Sequence, residues 1–147
     1  MELSTLQHLA LWASIAIAVA TVISLIFAAW TYRRNAEAQV QLLALGTLQH
    51  YLDRAVEYAE VASRKNDDPM DARYAWFAAH ALFTAQTLRT LVGSHAEWQR
   101  AINAIVRQHL PYLRSGAFVC EDFAPDFVSY LRERFPDLKC ANVTHRA

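Results

Sequence analysis

From Leu9 to Ala29 the chain reads LALWASIAIAVATVISLIFAA, an apolar run without a charged residue. Beyond Asn35 this gives way to apolar positions three and four apart, separated by charged and amide side chains. The first pattern predicts a helix that is apolar on every side. The second predicts amphipathic helices that bury one face.

A helix rises ~1.5 Å per residue, so about twenty apolar residues cross the ~30 Å hydrocarbon core of a bilayer. Trp12 lies near one end of the run and Trp30 and Tyr32 at the other, where amphipathic rings favour the headgroup layer. Arg33 and Arg34 follow at once, whereas MELSTLQH before the span has neither Lys nor Arg. The positive-inside bias therefore places the N-terminus outside and the C-terminal bulk in the cytoplasm. A cleaved signal peptide needs a basic start, a shorter apolar run and a small-residue cleavage site, so an uncleaved single-pass anchor is expected. Inside the span Ala16, Ala20, Ser24 and Ala28 recur every fourth position, beside a second row of Ala10, Ser14 and Ala18. Small residues at this spacing let helix backbones approach closely in lipid, which predicts self-association of the anchor.

The next helix is expected over Asn35 to Lys65, with Leu45, Leu48, Leu52, Ala55, Ala59 and Ala62 facing the core and Asp53, Glu57, Glu60 and Arg64 opposite. Its polar first turns read as a stalk, and Gly46 is its weak point. In NDDPMD, Asp68 suits a helix cap, Pro69 the first helical position and Asp71 the positive end of the dipole. The second bundle helix then runs to Val92 on a stripe of Tyr74, Phe77, Ala81, Ala85, Leu88 and Val92, with Trp76, Phe83 and Leu91 off that line. Gly93 is expected at C′, and Ser94 with Glu97 forms a capping box for the third helix.

Trp98, Ile102, Ile105, His109 and Tyr112 or Leu113 form the third stripe. Pro111 should kink or split its last turn, and Gly116 closes it. Pro125 opens a last helix with Phe127, Val128, Leu131 and Phe135 facing in, and Pro136 stops it. The resulting fold class is all-α: one transmembrane helix, then a cytoplasmic antiparallel bundle of three long helices and a shorter fourth. The divisions are 1–32 for the N-terminal segment and anchor, 33–44 for the stalk, 45–136 for the bundle and 137–147 for a flexible tail.

Composition narrows the function. Fourteen basic and fourteen acidic residues cancel, leaving no cationic footprint for nucleic acid. Cys120 and Cys140 are the only cysteines and should be free thiols in a reducing cytoplasm. Glu121 and Asp122 beside Cys120 argue against a reactive thiolate, so Cys120 reads as a small buried apolar residue. No catalytic or phosphate-binding motif is present, and among His50, His80, His95 and His109 no two share a helical face at ligand spacing. A cross-helix site of His80 and His109 is the remaining metal or haem alternative. Asp67, Asp68 and Asp71 read as capping residues rather than a cation site. No cofactor, metal or small-molecule substrate is expected.

Trp76, His80 and Phe83 share one face of the second bundle helix and form the candidate recognition surface, because exposed aromatics anchor interfaces. The competing reading packs this face on the fourth helix or the Phe118 loop. The function expected from these features is a non-catalytic membrane-anchored scaffold, with membrane lipid and a protein partner or its own copies as its contacts. The alternatives are a self-assembling, channel-like effector, for which only Ser14, Thr21 and Ser24 offer a polar lining, and a His-based cofactor protein.

The segments GTLQHYLDRAVEYAEVA, YAWFAAHALFTAQTL, WQRAINAIVRQHLPYLRSGAF and FAPDFVSYL, in this order after a span ending in YRRNAEAQ, resemble a set of small uncharacterised bacterial single-pass membrane proteins. The similarity covers about Leu25 to Leu131. It implies a bacterial inner-membrane setting and carries no activity or functional residue with it.

Overall fold

The computed structural model describes residues 2–63 and 71–141. Six α-helices follow in order: α1 (Glu2–Glu57), α2 (Ala59–Ser63), α3 (Ala72–Val92), α4 (Ala96–Gln108), α5 (Leu110–Ser115) and α6 (Pro125–Arg134). Among the described residues the only extended pairing is an isolated parallel bridge between Phe118 and Cys140. The chain is therefore all-helical, with one long apolar N-terminal helix and packed helices after it. By its internal contacts it divides into Met1–Gln39 and Val40–Ala147, a boundary inside the expected stalk.

In the first unit, helix α1 is long and apolar enough to cross a membrane. Its large side chains, among them Ile17, Ile23, Phe27 and Trp30, are exposed rather than buried. In water such a surface is unfavourable, and in hydrocarbon it is not. The hydroxyls of Thr21, Ser24 and Thr31 each donate to the carbonyl four residues earlier, at 2.8, 2.8 and 2.9 Å. Their polar atoms are thus committed within the helix, as an apolar solvent requires. Ala16, Ala20, Ser24 and Ala28 all lie on the open surface of this helix. So do Trp12, Trp30, Tyr32, Arg33 and Arg34, and the Arg34 guanidinium sits 5.5 Å above the Trp30 ring.

The second unit is built around α3. The expected stripe Tyr74, Phe77, Ala81, Ala85, Leu88 and Val92 is buried along its whole length. Ile102 and Ile105 of α4, Tyr112 and Leu113 of α5, and Phe127, Val128 and Leu131 of α6 complete the core. Polar links cross between these helices. Gln86 accepts from the Ala124 N–H at 2.9 Å, Tyr130 donates to Asn103 at 2.7 Å, and the Arg89 guanidinium stacks 4.2 Å over the Tyr130 ring. Each joins an element to α6, which is too short to hold itself.

Pro111 splits the third expected helix, as its missing N–H and ring demand: α4 ends at Gln108, His109 lies between, and α5 carries the proline in its first turn. Gly116 caps α5 at φ 82°, the left-handed region that suits glycine. Asp71 caps α3, its carboxylate accepting from the Arg73 N–H at 3.0 Å. The expected cap Asp68, with Pro69 and Asp67, lies outside the described residues.

Several expectations are corrected. On α1 the inward positions are Ala44 and Tyr51, flanked by half-buried Val40, Leu48 and Ala55, while Leu45 and Leu52 face outward, as does Ala59 at the start of α2; the side chain of Ala62 lies outside the described residues. Leu48 and Ala55 of the expected stripe do pack on the core, but the ring of Tyr51 rather than Leu45 or Leu52 fills it, and its hydroxyl finds a polar partner there. Packing also begins before residue 45. The helix passes through Gly46 unbroken and breaks at Tyr58, between α1 and α2. The Ser94–Glu97 capping box does not form: the cap residue of α4 is His95, without a side-chain cap bond. Gly93 is right-handed at φ −62°, and a Cβ there would strike the Arg89 carbonyl, so close approach rather than a left-handed turn calls for glycine.

Cys120 and Cys140 are not free thiols. They form a disulfide with Cα atoms 5.4 Å apart, and Cys120 is half-buried. The chain after α6 returns beside the Phe118 segment: Lys139 N–H donates to Leu113 at 3.0 Å and Ala141 N–H to Phe118 at 2.8 Å. Leu138 packs against the core and Arg114 pairs with Asp137 at 3.3 Å. The stretch expected to be a flexible tail from Asp137 is thus fastened as far as Ala141.

Candidate functional site

Trp76, His80 and Phe83, one turn apart on α3, project from the side of the helix opposite its buried stripe. They meet the end of α1, α2 and the start of α3 around an open cavity of about 670 Å³. Phe77 forms its floor and is itself part of the core, stacked 6.2 Å from the Tyr51 ring and edge-on to His109 at 5.5 Å. Tyr58 and Val61 contribute apolar wall from the other side. All three residues expected to form a recognition face thus line one concavity.

They play different parts in it. Trp76 is 80% exposed and is the most open large side chain of the rim. Phe83 stacks on Phe123 at 4.4 Å, and Phe123 meets Phe118 at 4.9 Å. The competing reading, a face packed on the Phe118 loop, therefore holds for Phe83 and not for Trp76. His80 meets His50 edge-on, with ring centroids 6.0 Å apart. Burial lowers the His80 pKa below its ordinary 6.5, and the neighbouring His50 and Arg54 lower it further, so the ring is neutral at pH 7.

Among the described residues the lining carries Arg54, Arg73, His50 and His80 and no carboxylate. Arg54 is held by Glu57 at 3.0 Å on the exposed side of α1. A site of this volume, mostly apolar with a few basic groups at its edge, suits an apolar segment bearing a negative charge. Arg54, His50 and Tyr58 were not singled out from the sequence. Their i, i+4 spacing is legible there, but which side of α3 they oppose is not.

His80 and His109 are not brought together. His109 is fully buried between two phenols, its Nε2 3.4 Å from the Tyr51 hydroxyl and its Nδ1 3.3 Å from that of Tyr74. Each ring nitrogen thus faces a phenol rather than another histidine. Among the described residues no group of three or more His, Cys, Asp or Glu side chains could hold a metal ion. No known protein family, curated protein or solved structure matches the chain.

Proposed function

We propose that this protein is a non-catalytic, membrane-anchored helical module that docks a protein partner at the bacterial inner membrane. The observation that carries this reading is the convergence of Trp76, His80 and Phe83 on one open apolar cavity rimmed by Arg54 and Arg73. Exposed Trp in a concave apolar site is the side chain most often found anchoring an interface. An apolar segment of the partner fits the aromatic lining of this cavity.

The anchor is α1 up to Tyr32, with the N-terminus outside; Arg33 and Arg34 support a cytoplasmic position for the helices that follow. Short connections such as Gly93–His95 between α3 and α4 support an antiparallel bundle. The channel-like alternative has little to draw on, because Thr21 and Ser24 spend their hydroxyl protons on their own helix.

The test is affinity purification of the full chain from its native membrane, compared with Trp76→Ala. A stoichiometric partner kept by the wild type and lost by the variant is expected. Identical recovery with both would overturn the assignment of this cavity as the docking site.

A further inference from the structure

Beyond Val40, helix α1 carries two apolar faces rather than one. Ala44, Leu48 and Tyr51 turn toward the core, whereas Leu42, Leu45, Leu52 and Val56 remain between 52% and 77% exposed. The outward residues, with Gln49 among them, alternate at intervals of three and four: 42, 45, 49, 52, 56. At about 100° per residue these five positions fall within an arc of about 80°. A strict alternation of this kind is the 3.5-residue repeat of a coiled-coil seam, in which Leu42, Gln49 and Val56 take one layer type and Leu45 and Leu52 the other.

We infer that this seam packs against the same seam of a second copy of this chain, in parallel and in register. Like meets like in that arrangement, so Leu45 packs on Leu45 and Leu52 on Leu52. Gln49 identifies the occupant. An amide has both donors and an acceptor, and two copies facing each other satisfy one another, whereas an apolar strip from another protein would leave Gln49 desolvated and unpaired.

Gly46, beside the seam, points the same way. A Cβ built there meets nothing within 4 Å, so no contact within the chain calls for glycine at this helical position. With Leu42 it also lines a groove against α3 of the same chain, so its missing side chain opens both that groove and the shoulder of the seam. The positions 42, 45, 49, 52 and 56 bear no charge, so two copies meet without repulsion along the strip.

This inference rests on the anchored reading, because two heptads form a short seam and tethering in one membrane supplies the parallel orientation and the high local concentration. The experiment uses the full chain in its native membrane, with the photo-crosslinking amino acid p-benzoylphenylalanine in place of Leu45, Leu52 or, as control, Leu43. Leu43 is equally exposed but lies outside the seam. About tenfold more homodimer is expected from positions 45 and 52 than from 43. Equal yields at all three positions, no homodimer, or crosslinks only to another protein would overturn the inference. Carbonate washing of the same membranes reports anchoring separately, so loss of the anchor is not mistaken for loss of the seam.

As a second measurement, Leu45→Lys combined with Leu52→Lys, which sets like charges face to face across the seam, should shift the detergent-extracted protein from dimer to monomer by light scattering. Its thermal midpoint as a monomer should stay unchanged, because both side chains are already exposed in the single chain. A dimer that survives this pair of changes would also overturn the inference.

Discussion

The Tyr51 hydroxyl of α1 lies 3.4 Å from Nε2 of His109, a contact bridging 58 positions of sequence. Its Nδ1 lies 3.3 Å from the Tyr74 hydroxyl, so one buried imidazole joins two phenols. His109→Leu leaves both phenols without this partner and should cost about 3 kcal/mol, whereas Tyr51→Phe should cost about 1 kcal/mol. Urea unfolding of the detergent-solubilised protein reads both as midpoint shifts at constant slope. Equal, negligible shifts would mean that the contact carries no stability.

Alkaline titration should single out Tyr74. Burial, and secondarily the nearby Tyr51, push its pKa up to about 12 from 10.0. The folded state therefore keeps a proton that the unfolded state releases near pH 10, and stability falls as pH rises between 10 and about 12. Burial also raises Tyr51, Tyr112 and Tyr130, so phenolate absorbance should show several late-titrating tyrosines, and the one titrating near 12 should disappear in Tyr74→Phe.

The sign reverses at the cavity. His80 titrates below its ordinary 6.5 because of burial, His50 and Arg54, so the unfolded chain takes up a proton first as the solution is acidified. Its contribution is complete above pH 6.5 and declines as pH falls through the window below that value. His80→Gln should flatten this part of the stability profile, and an unchanged slope would remove His80 as its cause.

Trp76 and Phe77 are neighbours in sequence with opposite fates. Trp76→Ala should change stability by no more than about 0.5 kcal/mol, while Phe77→Ala should cost about 3–5 kcal/mol through the cavity it opens. Thermal melts of the two variants test this directly, and a large loss for Trp76→Ala would make that ring structural.

The helices after the long apolar N-terminal stretch were legible where one apolar stripe ran along a buried element. Leu88 and Val92 of α3 and Leu131 of α6 are in the core because nothing else on those faces competes. Helix α1 was harder to read. Leu45 and Leu52 are greasier than Ala44 and Tyr51, yet the latter pair turns inward, and periodicity cannot rank two apolar faces on one helix. The side of α3 that lines the cavity was legible as aromatic residues off the stripe. Its cationic rim was not, since Arg54 and Arg73 come from segments whose juxtaposition no local pattern encodes. The pairing of Cys120 with Cys140 was hidden for the same reason: it depends on the chain turning back after α6.

That pair makes topology measurable. A loop of 20 residues closed by a disulfide is worth about 3 kcal/mol to the oxidised protein, which Cys140→Ser should forfeit. If Arg33 and Arg34 keep these helices in the reducing cytoplasm, the bond must be reversible there. Acid-quenched growing cells should then show free thiols that convert to the bonded form on diamide treatment. A fully bonded pair in unstressed cells would place the domain on the oxidising side and reverse the orientation.

The same bond turns residues 120–140 into a covalent ring, and α6 lies wholly inside it. A single protease nick anywhere within that ring would leave both new ends on one molecule, and the C-terminal fragment could not diffuse away until a reductant opened the link.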